Sequence, residues 1–200
     1  MEKEKPVDSE EIDYDIPDPI GQGIEVYRDV YGEIRESLEE VIKRWEKEKE
    51  FRLKVAKSFK VAVASDHGGY DLKEDIKEYL NELGHQVQDF GTYEAGKSVD
   101  YPDFARPAAE SVARGENDLG IIYCGSGLGV NITANKVKGI RAAQCTNTTL
   151  ARLSRAHNNA NVLTIGGRIT TPMIAREIVK VWLSTPFEGE RHERRIGKIE

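Results

Sequence analysis

Six residues, Leu119-Gly120-Ile121-Ile122-Tyr123-Cys124, form an apolar run with no polar alternation, and the chain then turns at once through Gly125-Ser126-Gly127-Leu128-Gly129. A strand without a polar face has no side to offer to water, so it belongs in a parallel sheet covered on both faces. Parallel strands need crossover connections, usually helices. From Lys60 onward the sequence supplies them: strand-like runs at 60–65, 86–89, 119–124, 141–144 and 162–165 alternate with helical patterns at 70–83, 101–114, 129–136 and 147–156. A last helical pair follows at 172–183 and from about residue 189. Two hundred residues, 38% of them apolar, are enough for one such core.

This pattern predicts an α/β fold of three layers, Rossmann-like (flavodoxin-like), around a five-stranded parallel sheet. In such sheets ligands bind beyond the carboxyl ends of the strands, which fixes where to look for chemistry. Cys124 ends its strand there, and the alternating Gly125, Gly127 and Gly129 let several N–H groups point at one anion. The first turn of the following helix adds to the same positive field, which favours a thiolate and an oxyanion forming on a substrate. A buried structural cysteine before a tight turn is the plain alternative. Ser126 and the three glycines weigh against it.

Other polar residues fall at predicted strand tips or helix ends. Asp66 and His67, before Gly68-Gly69, suit hydroxyl or phosphate binding, although an Asp there also suits capping of the next helix. His157, in Ser154-Arg155-Ala156-His157-Asn158-Asn159, is expected over the sheet tips as a proton-transfer group, against the alternative of an Asn-rich helix cap. Arg191-His192-Glu193-Arg194-Arg195 is a basic helical cluster able to clamp a phosphate, or simply a solvated face. His85 opens a strand at the opposite end and receives no role. The four scattered histidines show no ligand spacing, so no metal is expected.

Charge divides the chain. Residues 1–57 carry 17 acidic and 11 basic side chains, whereas residues 58–200 carry 18 of each. The first part is therefore read as an extension and the second as the α/β domain. Residues 1–20 are acidic and hold Pro6, Pro17 and Pro19, which predicts extended or irregular chain. From about Gly23, Tyr27, Val30, Tyr31, Ile34, Leu38, Val41, Ile42 and Trp45 recur at helical spacing, and the charged stretch 46–50 extends the helix as a linker. Such an amphipathic helix must either pack on the neighbouring domain or pair with another chain. A net charge of −6 offers no basic field for nucleic acid, and no apolar run reaches the roughly 18 residues of a membrane span. No signal-peptide pattern opens the chain, and two cysteines make no disulfide framework, so a cytoplasmic location is expected.

Several motifs in fixed order carry a resemblance: Ser65-Asp66-His67-Gly68-Gly69, Asp100-Tyr101-Pro102, Cys124-Gly125-Ser126-Gly127-Leu128-Gly129, Ala134-Asn135-Lys136, Gly139-Ile140-Arg141-Ala142-Ala143, His157-Asn158, Gly166-Gly167-Arg168 and Arg191-His192-Glu193-Arg194-Arg195. On these, residues 60–200 resemble type B ribose-5-phosphate isomerases and the galactose-6-phosphate isomerase subunits. The resemblance implies interconversion of ribose 5-phosphate and ribulose 5-phosphate through an enediolate, with Cys124 as the base that moves the proton. Relatives without this cysteine use a glutamate at the position held here by Val130, so the chain looks like the cysteine type. The resemblance also implies that Ser126 and the backbone of Gly125, Gly127, Leu128 and Gly129 hold the enediolate oxygens, and that His157 with Asp66 opens the sugar ring. His67, Arg168, Arg191 and Arg195 would bind phosphate, Asn158 a hydroxyl, with Tyr101 and His192 as further candidates. It implies no cofactor, a phosphorylated sugar as the partner molecule, and a homodimer or homotetramer whose sites are shared between subunits. A hexose 6-phosphate (allose or galactose), a free aldose, or a noncatalytic regulatory role are the alternatives.

A second, shorter resemblance lies in Tyr14-Asp15-Ile16-Pro17-Asp18-Pro19-Ile20-Gly21, followed by Val26-Tyr27-Arg28-Asp29 and the amphipathic helix. It is similar to the C-terminal end of a low-molecular-weight protein tyrosine or arginine phosphatase, whose general acid would match Asp18. That family also needs a Cys-x5-Arg loop, and from Cys145 the next arginine, Arg152, is one residue too far. Phosphatase activity is therefore not expected, and the segment reads as a remnant of a fusion. A dinucleotide-binding module is disfavoured because Gly125-x-Gly127-x-Gly129 lacks the spacing of that fingerprint and no P-loop lysine follows.

Overall fold

The computed structural model describes residues 21, 23–55 and 58–199. The chain forms two compact units, Met1–Ala56 and Lys57–Glu200. In the first, α1 (Ile24–Val55) is one 32-residue helix. Its apolar stripe is largely exposed, with Leu38 at 56% and Trp45 at 70%, while Val30 is buried. The Tyr14–Ile20 motif and the irregular segment expected at 1–20 lie outside the described residues. Among the described residues no helix is long and apolar enough to cross a membrane.

The second unit alternates strand and helix: β1 (Lys60–Ser65), α2 (Tyr70–Glu82), β2 (Gln86–Asp89), α3 (Tyr101–Ala113), β3 (Leu119–Cys124), α4 (Leu128–Ala134), β4 (Ala142–Gln144), α5 (Thr148–Asn158), β5 (Val162–Gly166), α6 (Pro172–Ser184) and α7 (Arg191–Ile196). All four strand pairings are parallel, in the order β2-β1-β3-β5-β4. This is the expected three-layer α/β fold; relative to the 2-1-3-4-5 order of flavodoxin, its last two strands are exchanged.

Strand periodicity sorts the core into two layers. Val61 and Val63 of β1, with Ile121 and Tyr123 of β3 and Leu163 and Ile165 of β5, pack with Leu72, Ile76 and Leu80 of α2 and Ala175, Ile178 and Trp182 of α6. The alternate residues Ala62, Ala64, Ile122 and Cys124 face Ala105, Ala108 and Ala109 of α3 and Val130 of α4. β3 is buried along its whole length, as an apolar run without alternation requires.

Among the described residues one lysine is inside. Lys73 of α2 is fully buried, with Nζ 2.7 Å from Asp89 Oδ2, and Lys77 Nζ lies 2.8 Å from the same oxygen. Burial opposes ionisation of Asp89, but the bonds donated by Lys73, Lys77 and the Gly91 N–H hold its carboxyl below the usual carboxylate range. Asp89→Ala leaves a buried ammonium without its main counter-charge and should destabilise the unit by about 3–5 kcal/mol in urea unfolding. Asp89→Asn, which keeps acceptor oxygen but not charge, should lie between the two. At the other end of β2, His85 Nδ1 accepts a bond from the Phe59 N–H at 3.3 Å, and burial pulls its pKa below 6.5. Because the folded value is the lower one, this contribution is present above about pH 6.5 and lost as the pH falls through the folded value. Replacing His85 by Gln should therefore flatten the fall in unfolding free energy between pH 7.5 and pH 5.5, measured against wild type.

Candidate active site

Three loops meet beyond the carboxyl ends of β1, β3 and β5. Cys124, 4% exposed, closes β3, and its Sγ accepts a hydrogen bond from the Gly127 N–H at 3.1 Å. Gly127 has φ +81°, a left-handed conformation, and an added Cβ would lie 3.0 Å from the Gly166 nitrogen. Gly69, after β1, is still tighter, since a Cβ there would fall 2.6 Å from the Tyr123 Cβ. The β5 loop is tied to the same place by two backbone bonds, Gly167 N–H to Cys124 O at 2.8 Å and Arg168 N–H to Gly125 O at 3.0 Å.

These contacts place most of the predicted residues around the thiol. Half-buried Ser126 accepts the Leu128 N–H on Oγ at 3.3 Å. The exposed Arg168 side chain lies over Gly125, and the Tyr101 ring at the start of α3 rests on Gly129. His67 Nδ1 accepts the Val99 N–H at 3.3 Å, which fixes the ring beside the entry to α3. Asp66 is buried, and Oδ1 accepts the N–H groups of Gly68 at 2.8 Å and Gly69 at 3.1 Å. These bonds shape the turn before α2 and do not cap the helix, whose N-cap residue, Gly69, receives no side-chain cap bond. Val130 is fully buried in the core and offers no carboxylate beside Cys124.

Gln144, at the tip of β4, also joins this edge, donating from Nε2 to Ser126 O at 2.7 Å. Sequence reading passed over it. Its place as the last residue of a strand, where ligand-facing residues collect, was the available signal.

His157 and Asn158 are not over the strand tips, where the sequence placed them. α5 leaves the carboxyl end of β4 and returns to the amino end of β5, so its last residues land at the opposite edge of the sheet. Asn158 O there accepts from Arg141 Nε at 3.0 Å, just before β4 begins. A six-residue strand spans roughly 20 Å, and about that length separates this edge from Cys124.

A second cluster forms around His157. Its ring stacks on buried His192 of α7, with centroids 4.3 Å apart and planes within 4°. Glu188 Oε2 lies 3.7 Å from His157 Nε2 and 3.6 Å from His192 Nε2. Arg191 donates from Nε to His192 Nε2 at 3.3 Å, and Arg195 lies exposed on the same helix. Burial, and then the positive charge of His157, Arg191 and Arg195, lower the pKa of His192 against the opposing pull of Glu188. Glu188 was missed in the sequence, although it stands four residues before His192. The donor atoms of His157, Glu188 and His192 lie within 4.8 Å of one another, which the spacing of the histidines did not show. Parallel rings, however, aim their lone pairs along parallel lines. An ion about 2.0–2.1 Å from both nitrogens would lie well out of both ring planes, and Arg191 already uses the lone pair of His192.

Known proteins share both the sequence and the fold of the second unit. The Ribose/Galactose Isomerase family matches residues 61–199. Ribose-5-phosphate isomerase B of Escherichia coli (strain K12) is 44% identical over 140 residues, covering 70% of this chain and 93% of that protein. Among solved structures, ribose-5-phosphate isomerase B of Clostridium thermocellum is 53% identical with a TM-score of 0.69, covering 70% of this chain and 94% of the other. That of Thermotoga maritima is 51% identical with a TM-score of 0.70, covering 72% and 98%. A glycine-cradled thiol at the carboxyl edge of a parallel α/β sheet, with matching sequence through α7, leads to one conclusion: this chain belongs to the ribose/galactose isomerase family.

Proposed function

We propose that the protein is an aldose–ketose isomerase that interconverts ribose 5-phosphate and ribulose 5-phosphate, with Cys124 as the base. The observation that carries this reading is the Cys124 Sγ held at 3.1 Å from the Gly127 N–H, inside a cradle of backbone amides. The thiolate takes the proton from C2 of the open-chain aldose. Negative charge then develops on the enediolate oxygens, where Ser126 and the amides of residues 125–129 can meet it. As a proton passes from O2 to O1, the thiol returns the carbon-bound proton to C1, and no proton is gained or lost overall. Ring opening, a proton transfer to the ring oxygen, falls to His157 with Asp66. His67, Arg168, Arg191 and Arg195 hold the phosphate, Asn158 a hydroxyl, and Tyr101 and His192 line the site. No step requires a metal or organic cofactor, and a reducing cytoplasm keeps the thiol available.

Asp66 and His157 lie at opposite edges of one chain, so one sugar can touch both only where the carboxyl edge of one copy meets the amino edge of another. The proposed enzyme is accordingly a homo-oligomer with shared sites.

Cys124→Ala should lower kcat by at least about 10²-fold, the scale of a lost general base, with an unchanged thermal midpoint. Undiminished turnover in that variant would remove Cys124 from the mechanism. Iodoacetamide should label the Cys124 peptide and not Cys145, whose thiol is pushed up to about 11 by burial, and substrate should slow the labelling. A coupled assay across ribose 5-phosphate, allose 6-phosphate, galactose 6-phosphate and free ribose decides the substrate, with the highest kcat/KM expected for ribose 5-phosphate. Turnover of none of these would favour the noncatalytic reading. Specific activity should fall on dilution in step with the mass measured by ultracentrifugation; activity retained by a monomer would overturn the shared site.

A further inference from the structure

The exposed stripe of α1 has a spacing that its amphipathic character alone does not require. Ile24, Tyr27, Tyr31, Ile34, Leu38, Val41 and Trp45 follow one another at alternating intervals of three and four, the a/d repeat of three heptads. This a/d repeat is the seam that one helix can offer another, with Val30 and Ile42 flanking it at g and e positions. All seven side chains are at least 37% exposed. With Ile42 they leave on the order of 900 Å² in water, taking ~150–250 Å² for each large side chain. That is about the ~800 Å² per partner of a stable protein–protein interface.

We infer that α1 pairs with α1 of a second copy of this chain as a parallel, in-register coiled coil. Charge favours a second copy and sets the direction. The outward positions carry Glu25, Asp29, Glu33, Glu36, Glu39, Glu40 and Lys43, a mostly acidic face that suits water and repels an anionic lipid surface. In parallel register the flanking Arg28 and Arg35 meet Gly23 and Val30 of the other copy, and Ile42 meets Ser37, so that like charges are opposed only at the end of the stripe, where Arg44 falls against Lys49. An antiparallel pair about the middle of the stripe would set Arg35 against itself. Within its own helix Arg35 is already paired with Glu39 at 3.4 Å. The pairing concerns the first unit alone and does not depend on the isomerase reading.

Cysteine cross-linking of the full-length protein tests it. Leu38→Cys lies in the seam, where parallel copies bring position 38 against itself; Glu36→Cys lies on the outer face. Under mild oxidation, Leu38→Cys should form covalent dimers at least ten times faster than Glu36→Cys on non-reducing gels. Adding Trp45→Asp to the Leu38→Cys protein should suppress them. Isomerase activity should be the same in all three, since none of these positions is in the candidate site. Equal rates at the two positions, or no dimer at Leu38→Cys, would overturn the inference; the second result is the one expected if the stripe folds onto its own chain or meets a membrane.

Discussion

Everything at the carboxyl edge of the sheet depends on backbone approaching backbone without side chains between. The turn after β1 presses on the end of β3 at Gly69, and the turn after β3 presses on the end of β5 at Gly127. Two hydrogen bonds from Gly167 and Arg168 then lock the third loop to the carbonyls of Cys124 and Gly125. Because the contacts are between main chains, the positions of Asp66, Cys124 and Arg168 follow from the sheet itself. A sheet buried on both faces is rigid, and that rigidity passes directly to the groups at its edge.

The two faces of the sheet contribute differently. One carries the large side chains of β1, β3 and β5 against α2 and α6, and the other packs alanines of β1 on alanines of α3. Cys124 belongs to the second face. Its thiol therefore emerges where the covering layer is thin and where α3 brings Tyr101 and α4 brings its first amides. The other cysteine, Cys145, lies in the large-residue layer, bonds to Ser154 and stays protonated. Two identical side chains thus sit in different surroundings because they point to different layers.

Much of this was legible in the sequence. The three long strands stand where apolar runs predict them, and the glycines after Cys124 announced a cradle, because both signals are local. What local pattern could not give was direction. His157 closes an ordinary amphipathic helix, and only the path of the crossover shows that its end reaches the far edge of the sheet. Glu188 was hidden for a related reason: its partners, His157 and His192, come from different helices. Asp66 was ambiguous in a different way, since a capping carboxylate and a substrate-binding carboxylate look the same in a sequence, and here its Oδ1 holds the turn at Gly68 and Gly69 without capping α2.

The reversal of α5 has a genetic meaning under the proposed shared site. A chain defective at its thiol edge and a chain defective at its imidazole edge carry complementary lesions. Produced in the same cell, they assemble into mixed particles in which one pocket draws both good halves and another draws both bad ones. Two inactive alleles would then restore growth together that neither supports alone, while two lesions at the same edge would not. The sheet would in this way sort inactivating mutations into two classes by the end of the strand on which they fall.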